Sequence, residues 1–252
     1  MATVTASTSA RLPRAQRARK WRDLTPLTGA LFVLVMLGAF IVAGNTPEGD
    51  ASAQAVIDHY TANRTQGIVA SIVLALAAVP ALAFSAWLRE RARLAVDNGR
   101  TLASFALGTG VLTAAGLLGA ATIHLALSEY TRDLDLSAAQ ALNALGADSF
   151  ILFTTGIATL VLAGSLIALR SRMLPSWLGW LGIPVAIAMF TPVAFFAACV
   201  AGAWIILASL LLYASNGGSR HVMDPDCFEP DAEPDGGASV ARFTRTPTPT
   251  ES

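Results

Sequence analysis

Charge is scarce in this chain, and five long stretches hold none of it. Only 13% of the residues are Asp, Glu, Lys or Arg, about half the share of a soluble domain. None of them falls within Pro26–Gly44, Gly67–Leu88, Thr101–Leu127, Phe150–Leu169 or Leu178–Tyr213. A soluble protein with a large core is excluded by this pattern. A multi-span membrane protein is expected instead, since about 20 apolar residues cross a hydrocarbon core as a helix. An ion-coupled pump built on buried carboxylates is also argued against, because such pumps keep Asp or Glu inside their spans.

Cysteine and histidine are equally sparse. Of the two cysteines, Cys199 lies in the last apolar stretch and Cys227 in a polar tail. A disulfide needs α-carbons within about 7 Å, so this pair is not expected to bridge. No CxxC and no Cys/His spacing suited to zinc occurs. Cys199 reads as a small packing residue. Of three histidines, only His124 sits in an apolar stretch. A bis-histidine haem site and an HExxH metalloprotease are therefore not expected, and no cofactor is implied. Lys20 is the only lysine and the net charge is zero. With no concentrated basic face, nucleic acid is not an expected partner. The arginine and alanine bias is associated with GC-rich bacterial genomes.

The arginines that are present set the orientation. The segment Pro175–Ala214 is too long for one span, since at about 1.5 Å per residue it reaches twice the core thickness. Pro192 is the natural break. The expected fold is therefore all-α, a polytopic membrane protein with six transmembrane helices over 26–44, 67–88, 101–127, 150–169, 175–191 and 195–214. The first is an uncleaved anchor, being longer than a signal-peptide core. Arg89, Arg91, Arg93, Arg100, Arg170 and Arg172 share one side with the basic leader. The positive-inside rule makes that side cytoplasmic, and both termini with it. The expected locale is a bacterial plasma membrane.

Three regions follow: a basic cytoplasmic segment over 1–24, the transmembrane domain over 25–214, and a disordered acidic cytoplasmic tail over 215–252. In the first, Arg14, Arg17, Arg19, Lys20 and Arg22 are expected to attract anionic lipid headgroups, at about 1 kcal/mol each near the surface.

The two long outer connections each predict a short helix across the mouth of the bundle. Asp50 is the expected N-cap of the first, which places Val56, Ile57 and Tyr60 on neighbouring turns. Ser137 is the expected cap of AAQALNALGA in the other. The candidate polar site gathers here. His124, Ser128 and Glu129 lie at the outer end of the third span, and Asp58 and His59 of the first loop are expected to approach them. Such a set suits a cation or a polar headgroup.

Within the spans, small residues recur four apart: Ala106, Gly110 and Ala114; Ala115 and Gly119; Thr155, Thr159 and Ala163; Ala198 and Gly202. Such seams let helices approach closely in lipid. Pro80 and Pro184 predict kinks. In LPSWLGWLG, Leu174–Gly182, Trp177 and Trp180 fit an interfacial aromatic anchor. That segment and the first-loop segment NTPEGDASAQAVIDHYTANR carry a resemblance. The chain resembles a broad group of uncharacterised bacterial six-helix integral membrane proteins with a domain of unknown function. The likeness covers Thr25 to Ala214 and implies the fold, but no catalytic residue. The expected function is a non-enzymatic binding, regulatory or scaffold component. The alternative is a small facilitator or transporter of an apolar or amphipathic molecule, with a membrane enzyme behind it.

Overall fold

The structure is a computed structural model. It describes residues 24–95, 99–131, 133–171, 174–191 and 193–218. The basic cluster from Arg14 to Arg22, the tail beyond Gly218, and Arg132, Arg172 and Pro192 lie outside the described residues.

Among the described residues the fold is all-helical, with no strand. The helices are α1 (Leu27–Ala43), α2 (Ala53–Ala62), α3 (Arg64–Ala95), α4 (Arg100–Tyr130), α5 (Leu136–Ser171), α6 (Ser176–Ala188) and α7 (Ala194–Gly218). Four of them, α3, α4, α5 and α7, are long and apolar enough to cross a membrane. The two shorter apolar helices are α1 and α6. The helical state follows from composition. Without water to pair backbone N–H and C=O groups, an apolar run in lipid must satisfy them within its own helix. Large apolar side chains stay exposed around the bundle, among them Leu34 and Ile41 of α1, Ile72 and Val79 of α3, and Phe195 and Phe196 of α7. Water would not tolerate so wide an apolar surface on a soluble monomer. The fold is that of an integral membrane protein.

The long helix α5 is the beam of the bundle. It is the most buried of the four long helices and packs against α2, α3, α4, α6 and α7. Its contact with α4 is backbone on backbone. A Cβ at Gly156 falls 2.5 Å from the Thr113 Cα, and a Cβ at Gly116 falls 2.7 Å from the Phe153 Cα. The α3–α4 contact follows the expected seam. Ala106, Gly110 and Ala114 are buried, and a Cβ at Gly110 collides with the Ser85 side chain. The seam from Ala198 to Gly202 meets α1, where a Cβ at Gly202 lies 3.2 Å from Val33. The buried hydroxyls in these contacts bond within their own helices. Ser85 donates to the Ala81 carbonyl, Thr113 to Thr109 and Ser165 to Val161.

Several local expectations are corrected. The N-cap of α2 is Ser52, whose hydroxyl accepts from the Ala55 N–H at 3.3 Å; Asp50 lies too far upstream. The segment AAQALNALGA is no separate helix but the first part of α5. No proline stands between it and Phe150, so the hydrogen-bond ladder runs on through the polar Gly146–Ser149 stretch. Its start is held by Asp135, which accepts from the Ala138 N–H at 2.7 Å and from the Ser137 hydroxyl at 2.8 Å. The Ala138 N–H, then Ser137, holds the Asp135 carboxyl below the usual range. Ala115 is exposed and Gly119 half-buried, so that pair forms no packed seam. The α4 face that meets α5 is carried by Gly116 instead. Cys199 is exposed on α7 rather than packed.

The LPSWLGWLG segment is explained by two faces of α6. Gly179 and Gly182, three residues apart, face inward; a Cβ on them meets Leu169 at 2.7 Å and Trp204 at 3.0 Å. Trp177 and Trp180, also three apart, face outward and are exposed.

Candidate functional site

A cavity of about 110 Å³ opens at the α2 end of the bundle. Its walls come from α1 (Ala39, Phe40, Ala43), from α3 (Gly67, Ala70, Ser71, Leu74) and from His124 of α4. The α2 helix supplies His59 and Tyr60, and its C-cap supplies Asn63. The connection after α1 adds Gly44 and Thr46.

Each part has a local cause. The chain leaves α1 through Gly44, whose φ of 63° and ψ of −148° are open only to glycine. Its N–H caps α1 by donating to the Phe40 carbonyl at 3.1 Å. Gln66 at the start of α3 donates to the Val42 carbonyl at 2.6 Å, which ties the two helix ends together. The connection is then clamped to α5, where Asn143 donates to the Glu48 carbonyl at 2.7 Å. The amphipathic α2 buries Val56 and Tyr60 against Leu127 of α4. That small apolar cluster roofs the bundle and sets the depth of Tyr60.

The polar edge is a Tyr–His pair. The Tyr60 hydroxyl lies 3.1 Å from His124 Nδ1. His59 meets the Tyr60 ring edge-on, with centroids 5.3 Å apart. Asn63 donates to the His59 carbonyl at 3.0 Å and so caps α2. No Asp, Glu, Lys or Arg lines the cavity among the described residues.

Of the residues expected here, the structure brings together His124 and His59, both of which line the cavity. Ser128 is buried one turn further along α4, and its hydroxyl donates to the His124 carbonyl at 2.8 Å. It packs closely against Gly67, where a Cβ would collide with it. Asp58 turns outward on exposed α2 surface and accepts from Gln54 at 2.9 Å. Glu129 is exposed on α4. Neither carboxylate joins the site. Among the described residues no group of three His, Cys, Asp or Glu is placed to hold a metal ion. The expected set is thus not assembled as one cluster: among the described residues His59 and His124 share the cavity without Asp58 or Glu129. Sequence reasoning placed Tyr60 only as an apolar position of α2. Its spacing from Val56 marked the buried face, but the partner 64 residues away is a tertiary fact.

Burial of Tyr60, which is 3% exposed, pushes its phenol up to about 12. The unfolded chain releases this proton near the ordinary tyrosine value of 10.0. Stability is therefore fully present below pH 10.0 and falls as pH rises towards about 12. Tyr60→Phe is expected to remove a share of that alkaline loss, of the order of 2 kcal/mol. Denaturant titrations of both proteins at pH 9 and pH 11.5 measure it. An identical alkaline loss in both would show that the phenol is not buried.

No family model, no characterised protein and no solved structure matches the chain.

Proposed function

We propose that this chain is an integral protein of a bacterial plasma membrane that crosses it six times and serves as a non-enzymatic binding component. Both termini then lie in the cytoplasm, and the α2 end faces outward. The observation that carries the binding reading is the amphipathic cavity: apolar walls from α1 and α3 with one polar edge at Tyr60 and His124. Such a lining is what small-molecule sites share, with few polar groups fixing the orientation of an apolar body. The Tyr60 phenol is held protonated and paired with His124, which suits a hydrogen-bonding edge better than a catalytic base.

The test is stabilisation by ligand. Amphiphiles extracted from the host membrane, added back to delipidated protein, are expected to raise its melting temperature. Saturation a hundredfold above Kd gives about 2.7 kcal/mol. A flat response to every extract fraction would sink the reading.

The six-span topology rests on the arginine asymmetry and on the outward tryptophans Trp177 and Trp180. Arg14, Arg17, Arg19, Lys20 and Arg22 then contact anionic headgroups at the cytoplasmic face. A reporter active only outside the cytoplasm is expected to work after Pro47 or Leu136. It is expected to be silent after Arg93, Arg172 and Gly218. Activity after Gly218 would mean an odd number of crossings.

A second reading, a facilitator for amphipathic molecules, is favoured by one observation. Ser71 lines both the cavity and a groove of about 250 Å³ between α3 and α4, formed by Ile72, Ala75, Leu76, Leu118, Ala121, Thr122 and Leu125. Flux of a labelled amphiphile across proteoliposomes separates the two readings.

A further inference from the structure

We infer that the cavity takes an uncharged, single-chain amphiphile with a hydroxyl head. The head sits at Tyr60, His59 and His124, and the alkyl chain leaves past Phe40. This rests on reading the chain as a membrane binding component.

Charge decides the first point. The cavity is lined by no Asp, Glu, Lys or Arg among the described residues. The nearby carboxylate of Asp58 is turned away and paired with Gln54. A charged head would enter without a counter-charge, and desolvating it costs far more than the available hydrogen bonds return.

The Tyr60–His124 pair decides the second. If the His124 proton is on Nε2, the Tyr60 hydroxyl donates to Nδ1 and its oxygen remains an acceptor. If the proton is on Nδ1, that N–H donates to the Tyr60 oxygen and the phenol proton is left to donate. A hydroxyl is donor and acceptor at once, so it matches the pair in either tautomer. A carbonyl or ether can bond the Tyr60 hydroxyl in only one of them.

Size and access decide the third. About 110 Å³ is smaller than a cavity that holds benzene. It admits a head and its first few methylenes, not a two-chain lipid. Phe40 lines the cavity and is 44% exposed, so the wall at that point is also outer surface. A chain passing Phe40 continues along the apolar face of α1, beside exposed Leu37 and Ile41.

The test uses the full chain in lipid nanodiscs. The probes are three diazirine-bearing dodecyl chains, ending in hydroxyl, sulfate or trimethylammonium. The hydroxyl probe is expected to label peptides containing Phe40 or Leu74, saturably and in competition with unlabelled dodecanol. The charged probes should label at least tenfold less. Tyr60→Phe should weaken labelling by the hydroxyl probe at least fivefold while the protein still melts cooperatively. Two independent fillings of the cavity, Ala43→Phe and Ala70→Phe, should abolish it. Ala43 is half-buried at the end of α1, so that variant is expected to fold even where Ala70→Phe does not. Equal labelling by all three probes, abolished by filling, would overturn the hydroxyl selectivity and leave the binding reading standing. Labelling that is unsaturable, or that survives the filling, would place the chains on the lipid-facing surface and overturn both.

Discussion

Gly156→Leu is expected to prevent the protein from assembling as a stable bundle, with no cooperative melt in mild detergent. The reason is the backbone contact between α5 and α4. A Cβ at Gly156 already falls 2.5 Å from the Thr113 Cα and 2.7 Å from its nitrogen. These are main-chain atoms, so no rotamer change relieves the overlap. One turn away the contact is reciprocated, with a Cβ at Gly116 lying 2.7 Å from the Phe153 Cα and 2.8 Å from its nitrogen. The pairs Thr113–Gly156 and Gly116–Phe153 run in opposite chain directions, as two antiparallel helices require. Helices in lipid gain little from the hydrophobic effect when they meet, because the tails are as apolar as the interface. Close van der Waals approach is what holds them, and a branched side chain here separates them along their length. Overpacking in soluble cores costs about 1–3 kcal/mol. Against rigid backbone in the central helix pair, the cost is expected at or above the top of that range. Leu118→Ala is the control, since Leu118 is 49% exposed on the opposite face of α4. It should melt within a few degrees of the parent. A Gly156→Leu protein that melts like the parent would show that α4 and α5 do not meet at these residues.

Trp204→Ala is expected to cost about 3 kcal/mol or more, as large-to-small changes in tight cores do. Trp204 of α7 is buried, and its ring lies between two glycines of other helices. A Cβ at Gly164 of α5 falls 2.9 Å from its Cη2, and one at Gly182 of α6 falls 3.0 Å from its Nε1. The indole N–H donates to the Leu178 carbonyl at 2.8 Å. One side chain thus joins three helices, and removing it leaves a void that none of them can close alone. Dispersion is the larger loss, because the surrounding lipid offers little difference in transfer energy. Trp204→Phe keeps most of the volume and loses the hydrogen bond, so it should cost about 1 kcal/mol. Unfolding curves of the two variants in one detergent give the ratio. A Trp204→Ala protein within 1 kcal/mol of the parent would mean that α6 is not held by this ring.

The two predictions differ in how far the sequence anticipates them. Small residues in the spans announced close packing, and the Ala106–Gly110–Ala114 seam was readable because its spacing of four repeats. Gly116 pairs at the same spacing with Ala120, but Gly156 has leucine four residues to either side. Only the crossing of α4 over α5 makes these two glycines indispensable. The same holds for Trp204, whose glycine partners are 40 and 22 residues away. In the candidate site, His124 stood out as the one ionisable ring in an apolar stretch. Asp58 and Glu129 stood out equally and do not contribute, because helical phase turns them outward.

The sequence by itself determined the helical state and the number of apolar segments, but not where α3 and α5 end: α3 runs on to Ala95 and α5 begins at Leu136. An apolar run in lipid has no alternative to satisfying its backbone internally, and proline or charge marks where the run ends. It did not determine where a helix would continue through a polar stretch. Residues 137–149 mix good helix formers with Asn143, Gly146 and Asp148, and their docking onto α2 and the Glu48 carbonyl decides that they extend α5. Nor did it determine which polar side chains meet. Tyr60 and His124 come within 3.1 Å because α2 folds back over the bundle mouth, anchored by Val56 on Leu127. That is a consequence of packing between segments distant in sequence, which local pattern does not encode.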